Sequence, residues 1–173
     1  MKKIKRFAAV LLAGIMALAM LTACGGSAGT PVTRDDALEK SVAAWTVEWG
    51  KEKANLNLTE DADLTAISAK CLPATAKVYN AIFAKDEDAA TAAFAELSKA
   101  FAAATNGKKV AMVDVPIPNT IEFTKENVIN VVQSSMNNIQ TSLNNAGVKN
   151  PAKFGVTVTK QDKYTLILFM VSE

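Results

Sequence analysis

The chain contains no histidine. That single absence removes Ser-His-Asp and Cys-His catalysis, and with them every His-ligated metal site. Cysteine is almost as scarce, with two in 173 residues. Two thiols cannot build a Cys-only structural zinc site, and if one of them is consumed elsewhere no intramolecular disulfide remains. Aromatics make up only 6% of the chain, and glycine numbers 8. There is no Gly-rich phosphate loop, no nucleophile elbow and no Ser-x-x-Lys dyad. The acidic run Asp86-Glu87-Asp88 is superficially like a calcium loop, but the sixth position is Thr91 rather than Gly and the twelfth is Leu97 rather than Glu. Carboxylate chemistry is what survives, and no carboxylate pair has a distinguishing context.

The N-terminus is distinctive. Lys2, Lys3, Lys5 and Arg6 form a basic cluster ahead of an apolar run from Phe7 to Leu21. That run is shorter than the roughly 20 residues a membrane-spanning helix needs. A basic start, a short apolar centre and a small-residue end describe a secretory signal. The end reads Leu21-Thr22-Ala23-Cys24-Gly25. It resembles the lipobox of bacterial lipoproteins, in which the thiol takes a diacylglycerol and cleavage falls just before it. This implies a signal peptide over residues 1–23 and a covalent lipid on Cys24. Residues 24–33 then form the lipidated cysteine and a short flexible tether, and 34–173 a globular domain. The expected location is the extracytoplasmic face of a cell membrane.

Cleavage also reverses the charge. The full chain carries 19 basic and 17 acidic residues. Residues 1–23 include four basic and no acidic ones, so the mature chain has 15 against 17, a formal net charge of −2. No basic field remains for nucleic acid, and the expected attachment to membrane is the lipid itself. No cofactor is expected beyond that lipid, and no metal.

Hydrophobic periodicity outlines the domain. Thr33 with Asp36 forms a helix start of the capping-box kind, followed by a stripe of Leu38, Val42, Trp45 and Trp49. The tryptophans suit either core or a ligand platform. A second helix begins near Glu60, capped by Thr59 or Asp61, and Pro73 should break or kink it. Cys71 lies on its half-apolar face and suits a buried thiol, with a reactive one as the alternative. A third helix runs from Asp86 to Asn106-Gly107, with Phe94, Leu97 and Phe101 as its stripe. Lys109 to Val115 reads as a strand ended by Pro116-Ile117-Pro118.

Thr124 caps a fourth helix over Lys125–Asn145, with Val128, Val132, Met136, Ile139 and Leu143 facing inward. Phe154–Lys160 and Tyr164–Val171 form a hairpin about Gln161-Asp162-Lys163. Leu166-Ile167-Leu168-Phe169-Met170 is apolar on both faces and should be central. Helices and strands out of regular alternation argue for α+β, a small antiparallel sheet with helices on both faces.

This order of elements resembles the cysteine-rich secretory/pathogenesis-related family, the CAP or SCP-like domain, an α-β-α sandwich. The segments that carry the resemblance are Leu58 to Ser68, Thr124 to Val132, Phe154 to Val158 and Tyr164 to Ile167. The family's cleft holds two histidines and two acidic residues. Here the second histidine's place falls near Asn138, the preceding aromatic is Val132, and the Glu-Asn-Ile segment reads Val113-Asp114-Val115-Pro116. The resemblance therefore implies a degenerate member, and no family site residue carries over.

One further feature stands apart from the resemblance. No charged residue occurs between Glu126 and Lys149. Asn130, Gln133, Asn137 and Asn138 offer an amide face suited to neutral polar partners such as cell-wall glycan or an envelope protein; the alternative is an ordinary solvated face. The functional expectation is a non-catalytic binding or interaction module. The alternatives are an envelope hydrolase using carboxylates alone and an accessory subunit of an envelope complex.

Overall fold

A computed structural model describes residues 32–173. The signal segment, the lipidation site Cys24 and most of the tether lie outside the described residues. The described chain is α+β. Its elements run α1 (Asp36–Lys53), β1 (Thr59–Glu60), α2 (Ala62–Ala84), α3 (Glu87–Thr105), β2 (Ala111–Pro118), α4 (Lys125–Ser134), α5 (Met136–Asn145), β3 (Lys153–Lys160) and β4 (Tyr164–Ser172). The sheet order is β1-β3-β4-β2. The three long strands are antiparallel, while the two-residue β1, absent from the sequence-based outline, pairs parallel with β3 at Lys153 and Phe154.

β4 is central and covered on both faces. Leu166, Leu168 and Met170 pack with α2 and α3, whereas Ile167 and Phe169 pack toward α1 and α4. Each such burial stabilises by roughly 1.5–3 kcal/mol. On β3 the two faces differ. Phe154, Val156 and Val158 are apolar toward α1. The opposite face presents Gly155, Thr157 and Thr159, and α2 comes down on it directly. A Cβ on Gly155 would lie 2.0 Å from the Thr65 amide nitrogen and 2.2 Å from the Leu64 carbonyl carbon. One turn on, the buried Ser68 hydroxyl bonds Thr157 Oγ1 at 2.7 Å and donates to the Leu168 carbonyl at 2.8 Å. Asp61 caps α2, accepting from the Asp63 and Leu64 amides, while its own N–H donates to the Phe154 carbonyl at 2.7 Å.

The structure corrects several sequence expectations. α1 is capped by Asp35, whose carboxylate accepts from the Leu38 amide, and not through the Thr33–Asp36 pair. Pro73 lies within α2 and does not end it. The missing N–H costs about 3 kcal/mol in a helix interior. The buried neighbours Cys71, Leu72, Ala74, Ala76 and Val78 hold both halves of the helix in one core. β2 runs through Pro116 to Pro118. The reason is register. The Phe154 and Val158 carbonyls of β3 bond outward, to the Asp61 and Asp35 amides. Thr157 and Leu168 therefore face each other across the ladder, and alternation turns Ile167 of β4 toward Val115 of β2. Asp114, Pro116 and Pro118 then direct their nitrogens to the free edge, where proline removes no ladder bond.

The expected fourth helix is two helices, α4 and α5, separated at Ser135. Its segment is rich in Asn and Ser, which favour caps over helix interiors. The break turns Met136, expected inside, outward to 37% exposure, while Val128 and Leu143 remain buried.

Glu39 and Trp45 of α1 are both used structurally. Glu39, only 8% exposed, forms a two-point pair with Arg34 and accepts from the Val158 amide of the β3 edge at 3.0 Å. Trp45 packs against Phe123. Cys71 is fully buried, and burial pushes its thiol up to about 12, far from the reactive thiolate range.

The close contact at Gly155 yields a direct test. Gly155→Ala drives a methyl into the α2 backbone, which cannot rotate aside. Chemical denaturation should show a loss of about 3 kcal/mol or more; a loss under about 1 kcal/mol would mean that α2 does not sit this close to β3.

Candidate functional site

The principal cleft among the described residues lies along the free edge of β2. Its origin is the way α3 packs. α3 rests chiefly on α2 and overhangs β2 without sealing against it. Phe94, Leu97 and Phe101 of α3 and Val78, Tyr79 and Ile82 of α2 form one wall. α5 supplies the other with Ser135, Asn138, Ile139 and Ser142. The floor is the β2 edge, including Met112, Asp114 and Pro116. The cavity volume is about 900 Å³, a size that suits a small-molecule ligand. At about 1.5 Å per residue, the stretch of α3 from Ala90 to Phe101 makes this wall roughly 16 Å long. The α2–α3 wall is aromatic and aliphatic; the α5 wall is neutral and polar.

Asp114 is the one acidic side chain placed on the cleft floor. It is half-buried. The Tyr79 hydroxyl donates to its Oδ2. Its own main-chain N–H, at the free edge of β2, also bonds the carboxylate, and the residue lines the cleft. No lysine or arginine among the described residues pairs with it. Burial raises its carboxyl above the usual carboxylate range, and the bonds from Tyr79 and from its own main-chain N–H oppose that rise only in part. Tyr79 itself is held well above its ordinary value, first by burial and then by the Asp114 charge. Asp86 and Glu87 reach the rim at the α2–α3 turn, where both are exposed and Asp86 is engaged in capping α3. Glu39, the other buried acid, belongs to the opposite face of the sheet.

The amide residues nominated from sequence are distributed over two helices. Asn130 and Gln133 lie on α4, Asn137 and Asn138 on α5, and all four are exposed. Asn138 alone of the four lines the cleft; Ser135, Ser142 and Asn145 join it there. Asp114 and Tyr79 escaped the sequence reading because they lie 35 positions apart and neither belongs to a motif. The only signal was an acid inside an otherwise apolar alternating strand. Among the described residues no group of three or more Cys, Asp or Glu side chains is placed to hold a metal ion. No helix among them is long and apolar enough to cross a membrane.

No protein-family model matches this chain, and the searches of curated proteins and of solved structures likewise give no match.

The raised Asp114 carboxyl has a sign that can be checked. Its folded value lies above the unfolded one, so the protonated form is favoured by folding. The associated stability is complete below the ordinary aspartate range and is lost as pH rises through the folded value. Asp114→Asn keeps an acceptor for Tyr79 and cannot ionise. The Tm of the variant should therefore gain on that of the parent as pH is raised from about 3 to about 7. Parallel curves would show that Asp114 ionises as freely as it does in the unfolded chain.

Proposed function

We propose that the chain is a lipid-anchored, extracytoplasmic binding protein, without a catalytic role, whose cleft takes a small apolar or amphipathic ligand. The observation that carries this reading is the cleft itself: about 900 Å³, aromatic on one wall, neutral and polar on the other. Such a surface offers burial to a hydrocarbon body and hydrogen bonds to a polar flank.

The acids favour binding over hydrolysis. A two-carboxylate hydrolase needs an acid and a second carboxylate about 5–10 Å apart across the scissile bond. Here Asp114 stands alone on the cleft floor, and the rim acids Asp86 and Glu87 are exposed. An accessory subunit would be expected to present a broad apolar patch. Among the described residues the exposed large hydrophobics are the isolated Ile121 and Met136.

The anchor belongs to the same proposal and rests on the Leu21-Thr22-Ala23-Cys24 segment. In this reading the lipid holds the domain at the membrane surface and the ligand is met in the envelope. Of the proposed amide face, Asn138 is the member that meets a ligand held in the cleft. The resemblance to a degenerate CAP domain remains part of the proposal and rests on the segments quoted for it.

Two measurements test the reading. Mass spectrometry of membrane-extracted protein should find acyl chains on Cys24, and Cys24→Ser should release the chain from the membrane; a Cys24→Ser protein that is cleaved yet membrane-bound would refute the anchor. For the cleft, displacement of a fluorescent apolar probe should be weakened by Asn138→Lys and left unchanged by Asn130→Lys. Equal effects of the two would remove the cleft from consideration. Neither substitution should change stability by more than about 0.5 kcal/mol, since both positions are exposed.

A further inference from the structure

We propose that Asp114 is the head-group anchor of the cleft and that the ligand is an ammonium-bearing amphiphile, its hydrocarbon lying along Phe94, Leu97 and Phe101. This deepens the binding reading above and rests on it.

Asp114 is a carboxyl group with no paired cation among the described residues. An ionised carboxylate in an apolar setting is costly unless a cation or several donors compensate it. Asp114 has two donors, the Tyr79 hydroxyl and its own main-chain N–H, and neither carries a charge. No lysine or arginine among the described residues pairs with it, although Lys85, Lys108 and Lys109 all reach the same cleft. Lys108 is instead directed to Asp63, at 3.9 Å. The carboxylate thus lines a cleft without a paired cation, and a ligand cation held there would meet it in surroundings poorer in water than the surface. The aromatic rings lining the wall add favourable faces for an ammonium and for its hydrocarbon alike.

Other occupants fit worse. An anionic amphiphile could meet the exposed Lys85, Lys108 or Lys109, but a head group reaching the floor would bring its charge against the Asp114 carboxylate. An extended peptide would need main-chain partners on the β2 edge, and Pro116 and Pro118 withhold their N–H groups there. A neutral amphiphile satisfies the walls and leaves the carboxylate oxygen without a cation.

The test uses the full mature chain carrying Cys24→Ser, which is free of lipid and detergent. Decyltrimethylammonium, decylammonium, decanoate and decyl glucoside are titrated calorimetrically, each below its micelle threshold. Expected is that an ammonium probe binds at least about tenfold more tightly than decanoate or the glucoside, the scale of one hydrogen bond or contact to a charged group. Asp114→Asn should erase that preference while leaving the chain-dependent part of the affinity. Equal affinities, or a lead for decanoate, would overturn the head-group assignment and leave the binding reading standing. Binding by none of the four would overturn both. A preference for ammonium that survives in folded Asp114→Asn would also overturn the assignment. If that variant does not fold, the ranking of probes on the parent chain decides.

Discussion

The architecture depends on how closely α2 approaches β3. At Gly155 the helix backbone occupies the space a side chain would take, and Ser68 then reaches through to Thr157 and to the Leu168 carbonyl. Small and hydroxylated residues on that face of β3 make the approach feasible. Buried hydroxyls in such a place need partners, and here they find one another and a main-chain carbonyl. The contact sets the height of α2 above the sheet. The long apolar run of α2 then covers β4, and α3 follows because a short turn at Lys85 and Asp86 folds it back along α2.

That arrangement explains why a cleft exists. α3 is carried by α2 and not by the sheet, so its apolar stripe reaches past the end of the β4 cover and over β2. Nothing on β2 fills the gap. The strand is an edge, its outward positions are Asp114, Pro116 and Pro118, and α5 approaches from the other face with short polar side chains. The two edges of the sheet are managed differently. The β3 edge is closed by β1, by the Asp35 amide and by the Glu39 carboxylate held by Arg34. The β2 edge is blunted by proline and left beside open space. Protection of one edge gives a sealed core, and protection of the other leaves room for a ligand without inviting a strand.

Asp114 gives this space its chemical character. In a fully packed core it would need a cation; at the surface it would need nothing. On the floor of a cleft it is partly desolvated and, among the described residues, without a cation, a combination that recurs at binding sites. Tyr79, packed near Tyr164 at 5.8 Å between ring centres, is held in place to donate to Asp114.

Much of this was determined by the sequence alone, because it is local. Periodicity marks the helices, Asp61, Asp86 and Thr124 cap them as their positions demand, Asn106-Gly107 stops α3, and the doubly apolar run of β4 requires a central place. The missing histidine closes whole classes of chemistry whatever the fold. What tertiary structure decided is whatever depends on residues distant in sequence. Pro73 reads as a break until the core on both sides outweighs one lost hydrogen bond. Pro116 and Pro118 read as a strand end until the register shows which edge their nitrogens face. Glu39 carries no sign of burial in the sequence, and only the fold brings Arg34 and the Val158 amide onto it. Asp114 is legible only as an oddity in a strand. Its meaning comes from Tyr79, from the overhang of α3 and from the lack of a paired lysine among the described residues, and these are set by packing between segments that no sequence window contains together.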